Sequence, residues 1–429
     1  MAKRTQRSSP GLPYRLTCWR FIKVAASAEA AVGEAAGSSG SSSRSSSPCS
    51  DHENVGSGQY GRCCGGRLCV VRLVQLAFLI TMVAAVTHFI LAAFTSALVA
   101  APTPRPRPPV FSLPEDQLPQ PTSSVLLDLH DFHYLHEAVA ACTSLRLFFV
   151  FLVHSRPDHF RQREAIRATW GGLRDLGGGW VARTVFLLGR GSGDGDMGDP
   201  DRAKVEEMVD QESTQHRDLV VGSFTDHYHN LTYKHIMALR WAATHCAHAT
   251  FLVKADDDTF IDVPALKALL VRTFDLPPPQ RILACNVLPA GTKPQRTGKW
   301  AVSTADYPWP EYPRYCAGLA YVATLDLAEE LARVAQASVA PRIWVDDVWV
   351  TGLLAESLHL HPHYLNLRYS YDYNEMVKWT ARATPNAPAP YMFAHLDPAC
   401  PDWRPTLDIL WHHALIAHKN ATSISFYSR

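Results

Sequence analysis

One stretch constrains this chain more than any other. Residues 73–98, LVQLAFLITMVAAVTHFILAAFTSAL, run for 26 positions without an Asp, Glu, Lys or Arg. A helix there would be about 39 Å long, enough to cross a hydrocarbon core of about 30 Å with some tilt. A cleaved leader has a shorter apolar core and sits nearer the N-terminus. A buried core helix would show a packing face, which this run lacks. The segment is expected to be a transmembrane signal anchor, and a single long apolar run excludes a multi-span transporter. Arg62, Arg67 and Arg72 stand just before it, in a tail (residues 1–72) with ten Lys/Arg and four Asp/Glu, a net charge of +6. Arg105 and Arg107 follow it as a smaller cluster. The imbalance places the N-terminus in the cytosol and everything after residue 98 in the lumen, a type II single-pass arrangement.

The flanks are of a different kind. The tail over 1–72 contains AGSSGSSSRSSSPCS, with too little apolar surface to offset the entropy of ordering. Eight prolines fall between Pro102 and Pro121, so residues 99–141 are expected to be a stiff lumenal stem, and residues 142–429 the folded domain. The chain has 41 Lys/Arg and 40 Asp/Glu, so 31 basic and 36 acidic residues follow the tail, a net of −5. That balance gives no reason to expect nucleic acid as a partner. Cys142, Cys246, Cys285, Cys316 and Cys400 would all be lumenal, where disulfides persist. Asn230-Leu231-Thr232 and Asn420-Ala421-Thr422 are N-glycosylation sequons on the same side.

Within the domain, strand and helix signals alternate. Residues 145–153 (LRLFFVFLV) are continuously apolar, as expected for a strand buried on both faces. Helical composition follows at 161–170, a second buried strand at 184–188, a helix at 202–212 and a short strand at 219–221. Residues 231–245 carry Leu231, Ile236, Leu239 and Trp241 at helical spacings, and 250–253 form the next strand. This alternation predicts an α/β domain with a mainly parallel central sheet, in which ligands collect beyond the carboxyl ends of the strands.

Asp256, Asp257 and Asp258 sit at such an end. Three adjacent carboxylates repel one another, and hard oxygen ligands suit Mg²⁺ or Mn²⁺; a solvated acidic turn is the alternative. Further on, Asp346 and Asp347 lie inside IWVDDVWV. Burial among apolar groups raises a carboxyl pKa, as a general base requires; the alternative is a helix start capped by Asp346 and running to residue 357. Between the two acidic sites, Lys299-Trp300, Tyr307-Pro308, Tyr312-Pro313 and Tyr315 make an aromatic stretch. It suits either sugar rings or a Pro-braced loop on the core.

Taken in order, these segments resemble the β-1,3-glycosyltransferase family that includes the galactosyl- and N-acetylglucosaminyltransferases and, more distantly, Fringe. The resemblance is carried by REAIRATWG (163–171), FLLG (186–189), FTDHYHNLTYK (224–234), KADDD (254–258), Lys299-Trp300, the Tyr-Pro segments, Gly318 with Tyr321, and Asp347-Val348. It implies a GT-A-like nucleotide-sugar-binding domain in a Golgi membrane enzyme. It implies that Asp256 and Asp258 hold a divalent cation, Mn²⁺ or Mg²⁺, on the diphosphate of a UDP-sugar. Asp347 would be the base that deprotonates the acceptor hydroxyl, with Asp346 where many members have Glu. His395 would complete the metal site, and Arg163, Arg167, Asp257 and Lys299 would serve the donor. Trp300, Tyr315 and Asp346 would line the acceptor pocket. The implied reaction moves galactose from UDP-galactose to the 3-hydroxyl of a glycan on protein or lipid, with inversion. UDP-N-acetylglucosamine and UDP-N-acetylgalactosamine are alternative donors, and a non-catalytic glycan-binding protein is the alternative of another class.

Overall fold

The computed structural model describes residues 66–99, 124–144, 146–191, 199–337 and 340–427. Most of the expected tail and stem lies outside them. The chain divides into two compact units, one containing residues 28–106 and the other containing 107–429. In the first, Gly66–Val99 is one helix, and its segment Val74–Leu91 has a mean hydropathy of 2.1 with none of it buried. Length and composition make this helix able to cross a membrane.

The second unit is built on an eight-stranded mixed sheet in the order β1-β4-β3-β2-β5-β8-β7-β9. These strands are β1 (Tyr134–His136), β2 (Leu147–His154), β3 (Val181–Arg190), β4 (Leu219–Thr225), β5 (Phe251–Asp256), β7 (Leu283–Leu288), β8 (Tyr315–Ala323) and β9 (His363–Tyr364). Strands β4, β3, β2 and β5 are mutually parallel. The parallel run stops at β8, which returns antiparallel to β5 and is followed by antiparallel β7. A small second sheet joins β10 (Tyr369–Ser370), β11 (Phe393–His395) and β6 (Thr259–Ile261).

All eight residues of β2 are buried, because helices cover both faces of a central strand. Its side chains alternate between two cores. Val150 and Leu152 join Ile236, Leu239 and Trp241 of the helix Leu231–His245. Phe149, Phe151 and Val153 join Ile166 and Trp170 on the other face. The domain begins earlier than expected: Leu126 and Phe132 are buried, and β1 pairs with β4. These apolar side chains give part of the segment assigned to the stem a place in the core. Cys142 is bonded to Cys246, and Cys285 to Cys316 across β7 and β8.

This architecture fixes the place of the acidic residues. His154 and Asp256 are register partners at the carboxyl ends of β2 and β5. The helical segment that opens at Asp346 packs against β8, the next strand over.

Candidate active site

β5 ends at Asp256 and β6 begins at Thr259, so Asp257 and Asp258 occupy the tight turn between them. Three like charges in so short a segment must diverge or find counter-charges, and here they do both. Asp256 Oδ1 accepts from Lys254 Nζ at 2.6 Å. Asp257 turns inward, accepting from Ser155 Oγ at 2.6 Å and pairing with His159 Nδ1 at 2.8 Å. Asp258 faces His395, with Oδ2 and Nε2 3.4 Å apart. The pairing of β11 with β6, His395 against Thr259, brings that histidine in from a segment far along the chain.

Burial, reinforced by Asp258, pushes the Asp256 carboxyl up to about 7 against the opposing pull of Lys254. Burial acts on Asp258 in the same sense, but His395 and Lys254 outweigh it and hold Asp258 below the usual carboxylate range. Asp258 Oδ1 is buried and has no hydrogen-bond partner. An orphaned carboxylate oxygen beside a second carboxylate and an imidazole is a donor set that fits a hard divalent cation. Among the described residues no three such side chains already converge on one point; Asp256 is instead drawn to the Lys254 ammonium.

Lys254 also connects the two acidic sites. Its Nζ donates to the carbonyl of Gly318 at 2.7 Å. A Cβ on Gly318 would lie 3.3 Å from Asp347 Oδ2, so the glycine lets the Asp347 carboxylate close against β8. Asp347 Oδ1 accepts the Val348 N–H at 2.7 Å. Burial, then the neighbouring Asp346 charge, pushes the Asp347 carboxyl up to about 7, with Asp256 adding to the rise. The Asp256 charge therefore reaches Asp347. A carboxyl held near neutrality is suited to accept a proton.

Asp346 is a different case. Val345, not Asp346, is the N-cap of the segment Asp346–Val348, which continues through a π turn at Trp349–Leu354 to Ala355–Ser357. The helix expected to residue 357 is there, but without the Asp346 cap. The Asp346 carboxylate is bonded to His235 Nδ1 at 2.8 Å and the residue is only 8% exposed. It is turned inward and does not line an open acceptor pocket as expected.

Arg163 and Arg167 also depart from expectation. Arg163 is fully buried, its guanidinium shared among Glu212, Ser155 Oγ and the carbonyls of Arg156 and Pro157. Arg167 pairs with Asp218 at 2.8 Å and with Glu212 at 2.6 Å. Their N–H groups tie helix Phe160–Ala168 to the helix Asp199–His216 and to the loops after β2 and before β4, not to an open donor pocket. Tyr315 is buried against the π turn, its Cβ 3.0 Å from where a Cβ on Gly352 would sit. Tyr307 and Tyr312 are buried beside it, so most of the Tyr-Pro stretch is a braced core. Trp300 stays 38% exposed. The Lys299 ammonium lies over the rings of Tyr228 and Trp300, at 5.2 and 5.4 Å, and its charge is felt at Asp258. Tyr228 in turn packs on Trp344 and feels the charges of Asp346, Asp347 and Asp256. Asn230 donates to the Thr225 carbonyl at 2.9 Å just ahead of the helix Leu231–His245. Asn420 falls within the helix Trp403–Tyr427.

Nothing in the sequence alone points to His235, His159 or Ser155, and Lys254 is marked only by its place in KADDD. The lysine two residues before the aspartates was a usable signal, since a strand alternates sides and returns that ammonium to the face of Asp256.

The sequence comparisons define the class: the chain belongs to the galactosyltransferase family, whose model matches residues 161–366, and it is a glycosyltransferase. Beta-1,3-galactosyltransferase 1 of Homo sapiens is 33% identical over 234 residues, covering 54% of this chain and 67% of that protein. Beta-1,3-galactosyltransferase 5 of Gorilla gorilla gorilla is 36% identical over 236 residues, 54% of this chain and 72% of that one. Among solved structures, a WbbM bifunctional glycosyltransferase covers 58% of this chain and 45% of its own, at 10% identity and a TM-score of 0.29, too slight a likeness to argue from.

Proposed function

We propose that this glycosyltransferase moves galactose from UDP-galactose to the 3-hydroxyl of an acceptor sugar on a glycoprotein or glycolipid, inverting the anomeric centre in one displacement. The observation that carries this reading is the linkage of the Asp256 carboxylate to the Asp347 carboxylate through Lys254 and Gly318. Asp347, poised near neutrality, takes the proton from the acceptor hydroxyl as its oxygen attacks C1 of the donor sugar, and the C1–O bond to UDP breaks on the opposite face. Asp256, Asp258 and His395 would hold a divalent cation, Mn²⁺ or Mg²⁺, which when bound neutralises the diphosphate charge. Lys254 holds Asp256 in place from beneath, and Lys299 and Trp300 flank the cleft, where an exposed indole offers a stacking face to a sugar. The relatives named β-1,3-galactosyltransferases support galactose and the 3-hydroxyl.

The apolar helix Gly66–Val99, the Cys142–Cys246 and Cys285–Cys316 disulfides and the sequons support a single-pass type II protein of the Golgi membrane with this domain in the lumen. The test is UDP release by the full chain in detergent with Mn²⁺, over UDP-galactose, UDP-N-acetylglucosamine and UDP-N-acetylgalactosamine with glycan acceptors. Turnover of UDP-galactose is expected. Preference for an N-acetylhexosamine donor would reassign the donor, and no turnover of any would favour a glycan-binding role.

A further inference from the structure

Behind the base lies a chain of buried polar groups that the transfer step does not touch. Tyr321 and His235 are 2% and 1% exposed. His235 Nε2 lies 2.8 Å from the Tyr321 hydroxyl, and His235 Nδ1 lies 2.8 Å from Asp346 Oδ2. The Tyr321 ring stacks on the imidazole with centroids 5.7 Å apart, and His154 packs edge-on against it at 5.1 Å. A carboxylate can only accept and a neutral phenol here donates. The imidazole must then carry its proton on Nδ1 and accept on Nε2, so the bonds run one way: Tyr321 to His235 to Asp346. Burial holds the His235 imidazole below its ordinary range, despite Asp346. His235 faces the Lys254 charge from β5 and the His154 ring from β2. Asp346 faces Lys254 and His235, and its charge is felt at Asp256, Asp347, Tyr228 and Tyr321. One residue earlier in the same helix, Lys234 donates to the Ser155 carbonyl and to Asp226. The start of the helix Leu231–His245 is thus tied to β2, to the end of β4 and to the segment that carries Asp347.

We propose that His235 is a positioning residue for transfer: its Nδ1–H, aligned by the Tyr321 hydroxyl, fixes the Asp346 carboxylate and with it the placement of the Asp347 base. This rests on Asp347 being that base. With the brace in place, Asp346 stays an anion and its charge keeps the adjacent carboxyl a stronger proton acceptor than an ordinary aspartate. Without it, an unbonded buried Asp346 takes up a proton and that influence ends.

The experiment uses the full chain in detergent with UDP-galactose, Mn²⁺ and the acceptor turned over best, comparing wild type with His235→Phe, His235→Asn and Tyr321→Phe. Loss of the Nδ1–H in His235→Phe is expected to lower kcat about 10- to 100-fold with the donor KM within about twofold, and to move the acid limb of the pH profile to lower pH. His235→Asn restores an amide N–H near the Nδ1 position and is expected to recover most of kcat and the original limb. Tyr321→Phe, which keeps the ring and its packing, is expected to shift the limb in the same direction by less. Loss of kcat with an unmoved limb and no recovery in His235→Asn would overturn the proposal, leaving His235 a packing residue. ¹⁵N resonances of the His235 imidazole in the wild type give a readout independent of turnover: an Nδ1–H tautomer supports the brace and an Nε2–H tautomer overturns it. A wild type that turns over no UDP-sugar in the panel would instead sink the proposed reaction, while the tautomer still decides the direction of these bonds.

Discussion

Asp346 and Asp347 are adjacent residues of one type held in opposite electrostatic states. Burial would raise both. The His235 N–H and the Lys254 ammonium reverse it for Asp346, whereas at Asp347 burial and its neighbour's charge outweigh the Val348 N–H and Lys254. Two carboxyls pushed apart in this way suit the proposed roles of fixed anion and proton acceptor. The pH profile follows: transfer should rise with pH along a limb set by Asp347, centred at or below about 7, since a cation bound nearby favours the charged form. Stability runs the other way. A carboxyl near 3.9 in the unfolded chain and about 7 in the fold keeps a proton only when folded, so stability falls as pH rises through that window. Asp347→Asn is expected to unfold at a higher temperature than wild type at pH 8, with little difference at pH 4; calorimetry at the two values checks it. Gly318→Ala should press on Asp347 Oδ2 at 3.3 Å and lower kcat about tenfold with donor binding unchanged, read from steady-state kinetics. At this scale the sequence makes a dry carboxylate pair at 346 and 347 legible from the apolar residues around it. It cannot say which one faces inward, because His235 stands 111 positions away.

At the scale of elements, the strands β2 and β5 and the helix Leu231–His245 were legible because each writes its burial into a continuous or periodic apolar pattern. The turn of Asp256 to Asp258 was legible as an acidic strand end. Its three divergent partners were not, since Ser155, His159 and His395 arrive from other elements. Arg163 and Arg167 mark the same limit: on a short polar helix, a donor-binding arginine and a buried ion-pair arginine have the same local sequence. Their partners Glu212 and Asp218 lie 49 and 51 residues on. The structure makes a separating prediction. Arg163→Ala takes from buried Glu212 one of its two arginine partners and leaves Arg167, so it should destabilise the domain by about 1–3 kcal/mol in chemical denaturation. UDP affinity per folded molecule should be retained. Lost affinity at full stability would return Arg163 to the donor site.

Across the whole molecule, the change of strand direction between β5 and β8 is what assembles the site. Parallel β2 and β5 deliver His154 and Asp256 to one edge. Antiparallel β8 then carries Gly318 back to Lys254, and the segment opening at Asp346 packs on β8. A wholly parallel sheet would need another crossover in place of this direct return. The antiparallel return has no local signature in the sequence, which is why the Tyr-Pro segment ahead of β8 could be taken for a binding surface when most of it is core. In the proposed reaction the two acidic sites have separable tasks, donor binding at Asp258 and proton removal at Asp347. The most direct test is calorimetric titration of UDP-galactose with Mn²⁺ into wild type, Asp258→Ala and Asp347→Asn, with transfer rates measured on the same preparations. Asp258→Ala should lose metal-dependent binding, while Asp347→Asn should bind within about twofold of wild type and transfer about 10²–10⁴-fold more slowly. Full transfer by Asp347→Asn, or undiminished binding by Asp258→Ala, would contradict it.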